Sequence, residues 1–215
     1  MTPRTKTSQS VAQASSPRGL DLTAVVRSLC AELSGLDALR HIDMRRVAVR
    51  MCQTRRAGPY GVQATMTPLR FRGGATSTVR RGTDWVVHPL PRDVQGMPAL
   101  YLLSLYVPRM LDLPFAEKVA VLVHELWHVS PAFDGDLRRF PGRYHAHGSR
   151  CDRYHDEMRT LAAAWLRTDA PTRWRQYLDG DFASLRSRFG RVMGTRIATP
   201  RLWRADRVPR LDDVA

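Results

Sequence analysis

Hydrophobic residues near the start of the chain recur every three or four positions, which is the period of an amphipathic helix. These positions are Leu22, Val25, Val26, Leu29 and Leu33. Asp21 is placed to cap the N-terminus of this helix, and Gly35 is placed to end it. Residues 1–19 are rich in Thr, Ser, Gln and Pro and predict a disordered N-terminal tail.

From Arg46 onward the hydrophobic period changes to two, which predicts β-strands. One alternating run extends from Arg46 to Met51 and a second from Tyr60 to Thr67. Residues 83–87 predict a weaker strand, and residues 99–107 predict a continuous apolar one. Glycine and proline residues between these runs indicate turns.

The second half of the chain favours helices. A segment that is apolar nearly all round begins at Pro114 and ends before Pro131, so it predicts a helix buried inside the domain. Further helices are predicted for residues 149–167 and 182–188, and a last short strand for residues 192–197. The pattern predicts an α+β fold in which a small antiparallel or mixed sheet packs on the buried helix. We place this single domain at residues 20–200, followed by a loosely attached basic tail at 201–215.

The buried helix carries the sequence His124-Glu125-Leu126-Trp127-His128, which is an H-E-x-x-H motif. Residues four apart on a helix lie on the same face, so two imidazoles at this spacing can hold one Zn²⁺. Glu125 then stands beside the metal as the general base that activates a zinc-bound water. A buried helix should not carry these ionisable groups without partners, which favours a metal site over an ordinary surface pair.

A catalytic zinc takes a third protein ligand, and we expect it to be His147. This histidine precedes Gly148 in a loop that leads into the next predicted helix. Asp134 is the main alternative, because it follows His128 by six residues, although Pro131 replaces the glycine that a tight return to the metal needs. Three more residues near His147 in the sequence could also reach the metal, namely His145, Cys151 and His155.

The remaining site candidates follow the motif closely along the chain. An oxyanion formed during peptide hydrolysis needs a hydrogen-bond donor. The candidates for this donor are Arg143, Tyr144, His145 and Tyr154. Asp134 and Asp136 are expected either to orient the histidine rings or simply to cap their loop.

Charge suggests a partner. The 215 residues carry a net charge of +14, and all but two of the positive residues, Lys6 and Lys118, are arginines. The stretch from Arg40 to Arg81 contains ten arginines and one acid, Asp43. This stretch is a candidate nucleic-acid contact through phosphates, although it also suits the solvated face of a sheet.

Cysteine usage and hydropathy suggest a compartment. The three cysteines are scattered, so they predict neither a disulfide framework nor a four-cysteine zinc ribbon. No secretory signal or stretch of about twenty apolar residues is evident, which predicts a soluble cytoplasmic protein with no membrane partner.

The segment from about Leu100 to Tyr154 resembles the phage metallopeptidase family, found in phages and prophage regions of bacteria. The matching segments are Tyr106–Arg109, Leu113–Phe115, His124–His128, Pro131–Arg139 and His147–Gly148. The resemblance implies a zincin-like fold and a zinc peptidase in a bacterial or phage-infected cell. The segment is also similar, more distantly, to SprT-like proteases, which digest proteins crosslinked to DNA and also use a downstream His-Gly.

These observations together predict a zinc-dependent metallopeptidase that hydrolyses protein or peptide substrates with Glu125 as general base. The alternatives are a zinc hydrolase of non-peptide amides and a nucleic-acid-associated protein whose zinc site is structural or idle. A protease that acts on DNA-bound proteins would combine both properties.

Overall fold

The computed structural model describes residues 15–16, 19–54, 61–139 and 151–209, and for residues 15–16 and 151–156 only the backbone. The strands are β1 (Ser15–Ser16), β2 (Gly19–Asp21), β3 (Val47–Gln53), β4 (Ala64–Pro68), β5 (Ser77–Arg80), β6 (Thr83–His88), β7 (Tyr101–Val107), β8 (Val192–Met193) and β9 (Arg201–Arg204). The helices are α1 (Leu22–Leu33), α2 (Phe115–Trp127), α3 (Cys151–Leu166), α4 (Pro171–Leu178) and α5 (Phe182–Phe189). The fold is therefore α+β, as predicted. No helix within these ranges combines the length and apolar character needed to cross a bilayer.

The main sheet has the strand order β3-β7-β4. Strand β7 lies in the middle, parallel to β3 and antiparallel to β4, so the sheet is mixed. Its residues Tyr101, Leu103 and Leu105 are fully buried and join the large hydrophobic core. This central position accounts for the continuous apolar sequence of β7, because both of its faces are covered.

Strand β3 differs from its sequence prediction. Alternation predicted that its arginines face solvent, but the side chain of Arg50 is buried. Its Nε donates to Ser104 Oγ at 2.9 Å, and its Nη1 donates to Ile197 O at 3.0 Å and Thr199 Oγ1 at 2.8 Å. These acceptors compensate for the loss of water around the guanidinium, and they tie the segment after β8 to the main sheet.

Two smaller sheets bring distant parts of the chain together. Their strand orders are β1-β2-β8 and β5-β6-β9. Strand β9 pairs with β6 from Trp85–Arg204 to His88–Arg201, so the expectation of a loosely attached segment from residue 201 is wrong for β9. The sequence did not reveal β9, because its two apolar residues, Leu202 and Trp203, are adjacent and show no period of two.

Helix α2 is the predicted buried helix, and it carries the H-E-x-x-H motif. Val119, Leu122, Val123 and Leu126 are fully buried in the large core. Its lysine, Lys118, is also fully buried, and Nζ donates to the carbonyls of Leu178, at 2.6 Å, and Gly180.

Candidate metal centre

The two motif histidines lie on one face at the end of helix α2. His124 is in the last turn, and His128 directly follows the helix. Their Nε2 atoms are 3.1 Å apart, and their ring planes are inclined by 82°. Two nitrogens that approach this closely either share a proton or share a cation.

The distance between the two nitrogens fits one shared zinc ion. Zinc–nitrogen bonds are about 2.0–2.1 Å long, and a tetrahedral angle between two of them separates the nitrogens by about 3.3 Å. The observed separation of 3.1 Å is close to this value. The donor atoms also fit, because imidazole nitrogen is a preferred zinc ligand. The pair can therefore hold zinc without moving either ring far.

Glu125 is held by the backbone of a neighbouring strand. Its side chain is buried, with the residue 8 % exposed, and Oε2 accepts a hydrogen bond of 2.6 Å from the backbone N–H of Met66. Burial raises the pKa of the carboxyl to about 7, and the bond from Met66 opposes this rise. A carboxyl with such a pKa can both accept and release a proton near neutral pH.

Strand β4 can supply that N–H because it is an edge strand of the main sheet. Gln63 O accepts from Tyr106 N, and Leu69 N donates to Leu100 O, so the odd-numbered residues of this segment bond to β7. The N–H and C=O groups of the alternate residues, Ala64 and Met66, then point away from β7. Strand β7 itself has no free edge for a substrate, because it pairs with β3 on one side and with β4 on the other.

A cavity of about 400 Å³ opens beside the motif. It is lined by Gln63, Ala64, Ala120, Val121, His124, Glu125, Met158 and Arg159. Ala120 and Val121 precede His124 by four and three residues, so helical spacing could have identified them. Met158 and Arg159 come from α3, and no local pattern in the sequence could have shown that this helix forms the opposite wall.

The predicted third ligand, His147, lies outside the described residues, and so do Arg143, Tyr144 and His145. Cys151, Tyr154 and His155 belong to α3, where only their backbone is described. These assignments remain predictions. Within residues 19–54, 61–139 and 157–209, no cluster of three or more His, Cys, Asp or Glu side chains is arranged to hold a metal, so Asp134 does not join the histidine pair there.

Asp134 and Asp136 shape the loop after the motif. Asp134 Oδ1 accepts from Asp136 N at 3.1 Å, which is a loop-capping contact. The Asp136 carboxylate receives two 2.8 Å bonds from the Arg139 guanidinium. Tyr101 fixes the same loop, since its hydroxyl donates to Asp136 O and accepts from Gly135 N. These contacts match the loop-capping alternative for both aspartates.

The arginines between Arg40 and Arg81 do not share one role. Arg40 and Arg45 form exposed ion pairs with Asp37 and Asp43. Arg46 pairs with the buried Asp93, and Arg50 is buried. By contrast, Arg72, Arg80 and Arg81 are exposed.

Searches against protein-family models, curated proteins and solved structures find no match to this chain.

Proposed function

We propose that this protein is a zinc-dependent metallopeptidase with a zincin-like arrangement of its active site. One observation carries the proposal: His124 and His128 bring their Nε2 atoms to 3.1 Å, while the carboxylate between them in sequence is buried at the same cavity. Ordinary helices do not place two such close imidazoles beside a buried carboxylate without a common ligand. The resemblance of residues 100–154 to phage metallopeptidases supports the same function.

His124 and His128 would hold the zinc, with His147 as the predicted third ligand. When bound, zinc acts as a Lewis acid that polarises a carbonyl and lowers the pKa of a water molecule. Glu125 takes a proton from the attacking water and transfers it to the leaving nitrogen. The Met66 N–H fixes one carboxylate oxygen through Oε2, which leaves Oε1 to handle the proton.

The outer edge of β4 would position the substrate. Ala64 lines the cavity, and its N–H and C=O point away from β7. An extended peptide that pairs with this edge would pass in front of His124 and Glu125. The apolar wall formed by Ala120, Val121 and Met158 then receives a side chain of the substrate.

The test combines zinc content and proteolysis in the full chain. Elemental analysis of wild type should give about one zinc per chain, with a clear loss in His124→Ala and in His147→Ala. Wild type should cleave fluorescently labelled casein. Glu125→Gln is the matched variant, because it keeps the side-chain shape and the zinc while it removes the base.

Each result has a defined meaning. Zinc retained in His147→Ala moves the third ligand to His145, His155 or Cys151. No zinc in wild type after supplementation contradicts the proposal. Equal proteolysis by wild type and Glu125→Gln also contradicts it, because the reaction would not need the base.

A second candidate is a nucleic-acid-associated protein whose zinc site is structural or idle. The net charge of +14 favours it, since phosphates are the usual partners of so basic a surface. A protease that acts on DNA-bound proteins would unite the two candidates. Glu125→Gln separates them, because a structural zinc site does not need the carboxylate.

A further inference from the structure

A second cavity, of about 550 Å³, lies on the small sheet β5-β6-β9, and none of its lining residues lines the cavity at the metal centre. It is lined by Arg80, Arg81, Thr83, Trp85 and Leu202. Its volume is within the range of small-ligand sites, which is about 300–1,000 Å³. The peptidase chemistry proposed above does not use any of these residues.

The strand register puts these side chains on one face of the sheet. Arg80 pairs with Thr83, and Trp85 pairs with Arg204. Cross-strand partners point to the same side, as do residues two apart along one strand. We call this surface the Trp85 face, and it comprises Thr78, Arg80, Thr83, Trp85, Val87, Leu202 and Arg204, with Arg81 at its rim. Val87 packs against buried residues at the far end of this face.

Charge on the Trp85 face is positive. The three strands contain one acid, Asp84, and alternation places it on the opposite face of the sheet. Arg204 is neutralised by an ion pair with Asp206 at 2.9 Å. Arg80 and Arg81 are both exposed, so two adjacent guanidinium groups stand at the end of the β5–β6 hairpin.

The hairpin turn holds Arg81 in an unfavourable conformation. Arg81 and Gly82 have φ angles of 50° and 73°, as a tight two-residue turn requires. Asn, Asp or Gly would adopt the first of these positions with less strain than Arg does. A strained residue in a turn is a reason to look for a role of its side chain.

Trp85 contributes an aromatic surface with an unused donor. Its indole lines the cavity beside the two arginines. The Nε1 atom is buried and has no hydrogen-bond partner among the described residues. Buried donors are usually paired, so this unpaired N–H is a second unusual feature beside the cavity.

We propose that the Trp85 face binds single-stranded nucleic acid, with phosphates at Arg80 and Arg81 and a base stacked on Trp85. Guanidinium groups recognise phosphates, and an aromatic ring that lines a cavity can stack on any base. A single strand fits better than a duplex, because the base faces of a duplex are already stacked. This site is separate from the proposed peptidase centre, so the proposal does not depend on peptidase activity.

Binding is measured with a 20-nucleotide fluorescein-labelled oligothymidine by fluorescence anisotropy at 50 mM NaCl. The double variant Arg80→Glu/Arg81→Glu should bind at least tenfold more weakly. It should also have a flatter salt dependence, because the slope of log K against log salt falls by about 0.7 for each lost phosphate contact. The control Arg167→Glu/Arg186→Glu makes the same charge change at two exposed residues outside this sheet and should stay within threefold of wild type.

Trp85→Ala should weaken binding about tenfold, whereas Trp85→Phe keeps an aromatic ring and should stay within threefold. The oligonucleotide should also quench tryptophan fluorescence in wild type and less in Trp85→Phe. This quenching test uses the conservative variant, so it does not depend on Trp85→Ala being folded.

Three results would overturn the proposal. The first is equal weakening by the control pair, which would mean that only net charge matters. The second is a 20-base-pair duplex that binds as tightly as the single strand. The third is displacement of the labelled oligonucleotide by polyglutamate as effectively as by unlabelled oligothymidine, when both are compared at equal concentrations of negative charge. This result would mean that the Trp85 face binds an acidic protein.

Discussion

Lys118 allows a direct test of how burial affects the stability of helix α2, which carries the H-E-x-x-H motif. Its ammonium group is fully buried in α2 and donates to the carbonyls of Leu178 and Gly180. Burial lowers the pKa of Lys118 from 10.5 to about 8, although three aspartates, Asp179, Asp112 and Asp181, act in the opposite direction. At neutral pH the buried charge therefore lowers the free energy of unfolding by about 3 kcal/mol, compared with a lysine whose pKa is not shifted.

The lowered pKa fixes the sign of the pH dependence. Between pH 8 and 10.5 the unfolded chain binds a proton at Lys118 that the folded chain has already released. The free energy of unfolding therefore rises with pH in this window. From pH 7 to pH 10 the contribution of Lys118 should rise by about 2–3 kcal/mol.

Lys118→Met removes this contribution, and the assay is urea unfolding at pH 7, 8, 9 and 10 in EDTA. The free energy of unfolding of wild type relative to Lys118→Met should rise by about 2–3 kcal/mol across the series. Subtraction cancels other groups, including Cys30 and Tyr101, in which burial raises the pKa to about 12. The free energy of unfolding of wild type relative to Lys118→Gln should show the same rise with pH, because glutamine does not titrate. Glutamine also keeps an N–H donor for the two carbonyls. Parallel curves for wild type and Lys118→Met would refute a buried, charged lysine.

Three further predictions concern the site and the core. Met66→Pro removes the N–H that binds Glu125 without breaking a hydrogen bond to β7. We expect kcat to fall at least tenfold while the zinc content stays near one ion per chain. An unchanged kcat would mean that catalysis does not need the bond from Met66 to Glu125. Leu122→Ala, in the middle of α2, should lower the free energy of unfolding by about 3–4 kcal/mol in chemical denaturation, and a loss below about 1 kcal/mol would mean that the site is not close-packed. Arg159→Ala should raise KM about tenfold for peptides with a carboxylate near the scissile bond but not for their amide counterparts. Arg159→Lys should retain most of the preference for the carboxylate peptides. Equal changes in KM for both kinds of peptide would mean that Arg159 does not select the substrate.

The sequence predicts the local parts of the site well. The spacing of His124 and His128 follows from the helical period alone, and the apolar residues around them correctly predict a buried helix. The cap of α1 is equally local, since Asp21 Oδ1 accepts from Ala24 N at 3.0 Å as predicted. Such features depend on residues within one or two turns of each other, where pattern and geometry are directly linked.

Contacts between distant segments could not be predicted in this way. The bond from Met66 to Glu125 joins residues on different elements through a backbone N–H, and any residue except proline supplies that group. The cavity wall of α3 and the pairing of β9 with β6 likewise depend on tertiary packing. A short strand such as β9 is especially hard to recognise, because arginines flank two adjacent apolar residues and no period of two is present.

The pairing of β6 with β9 has a consequence for protein synthesis. Strand β6 leaves the ribosome well before β9 does, so one edge of the β5–β6 hairpin stays open while the intervening helices are made. An open edge can pair with another nascent chain, and the arginines at the hairpin oppose this because like charges repel. A chain truncated after residue 200 would make this exposure permanent. We expect such a truncation to aggregate, even though it keeps every residue of the metal centre.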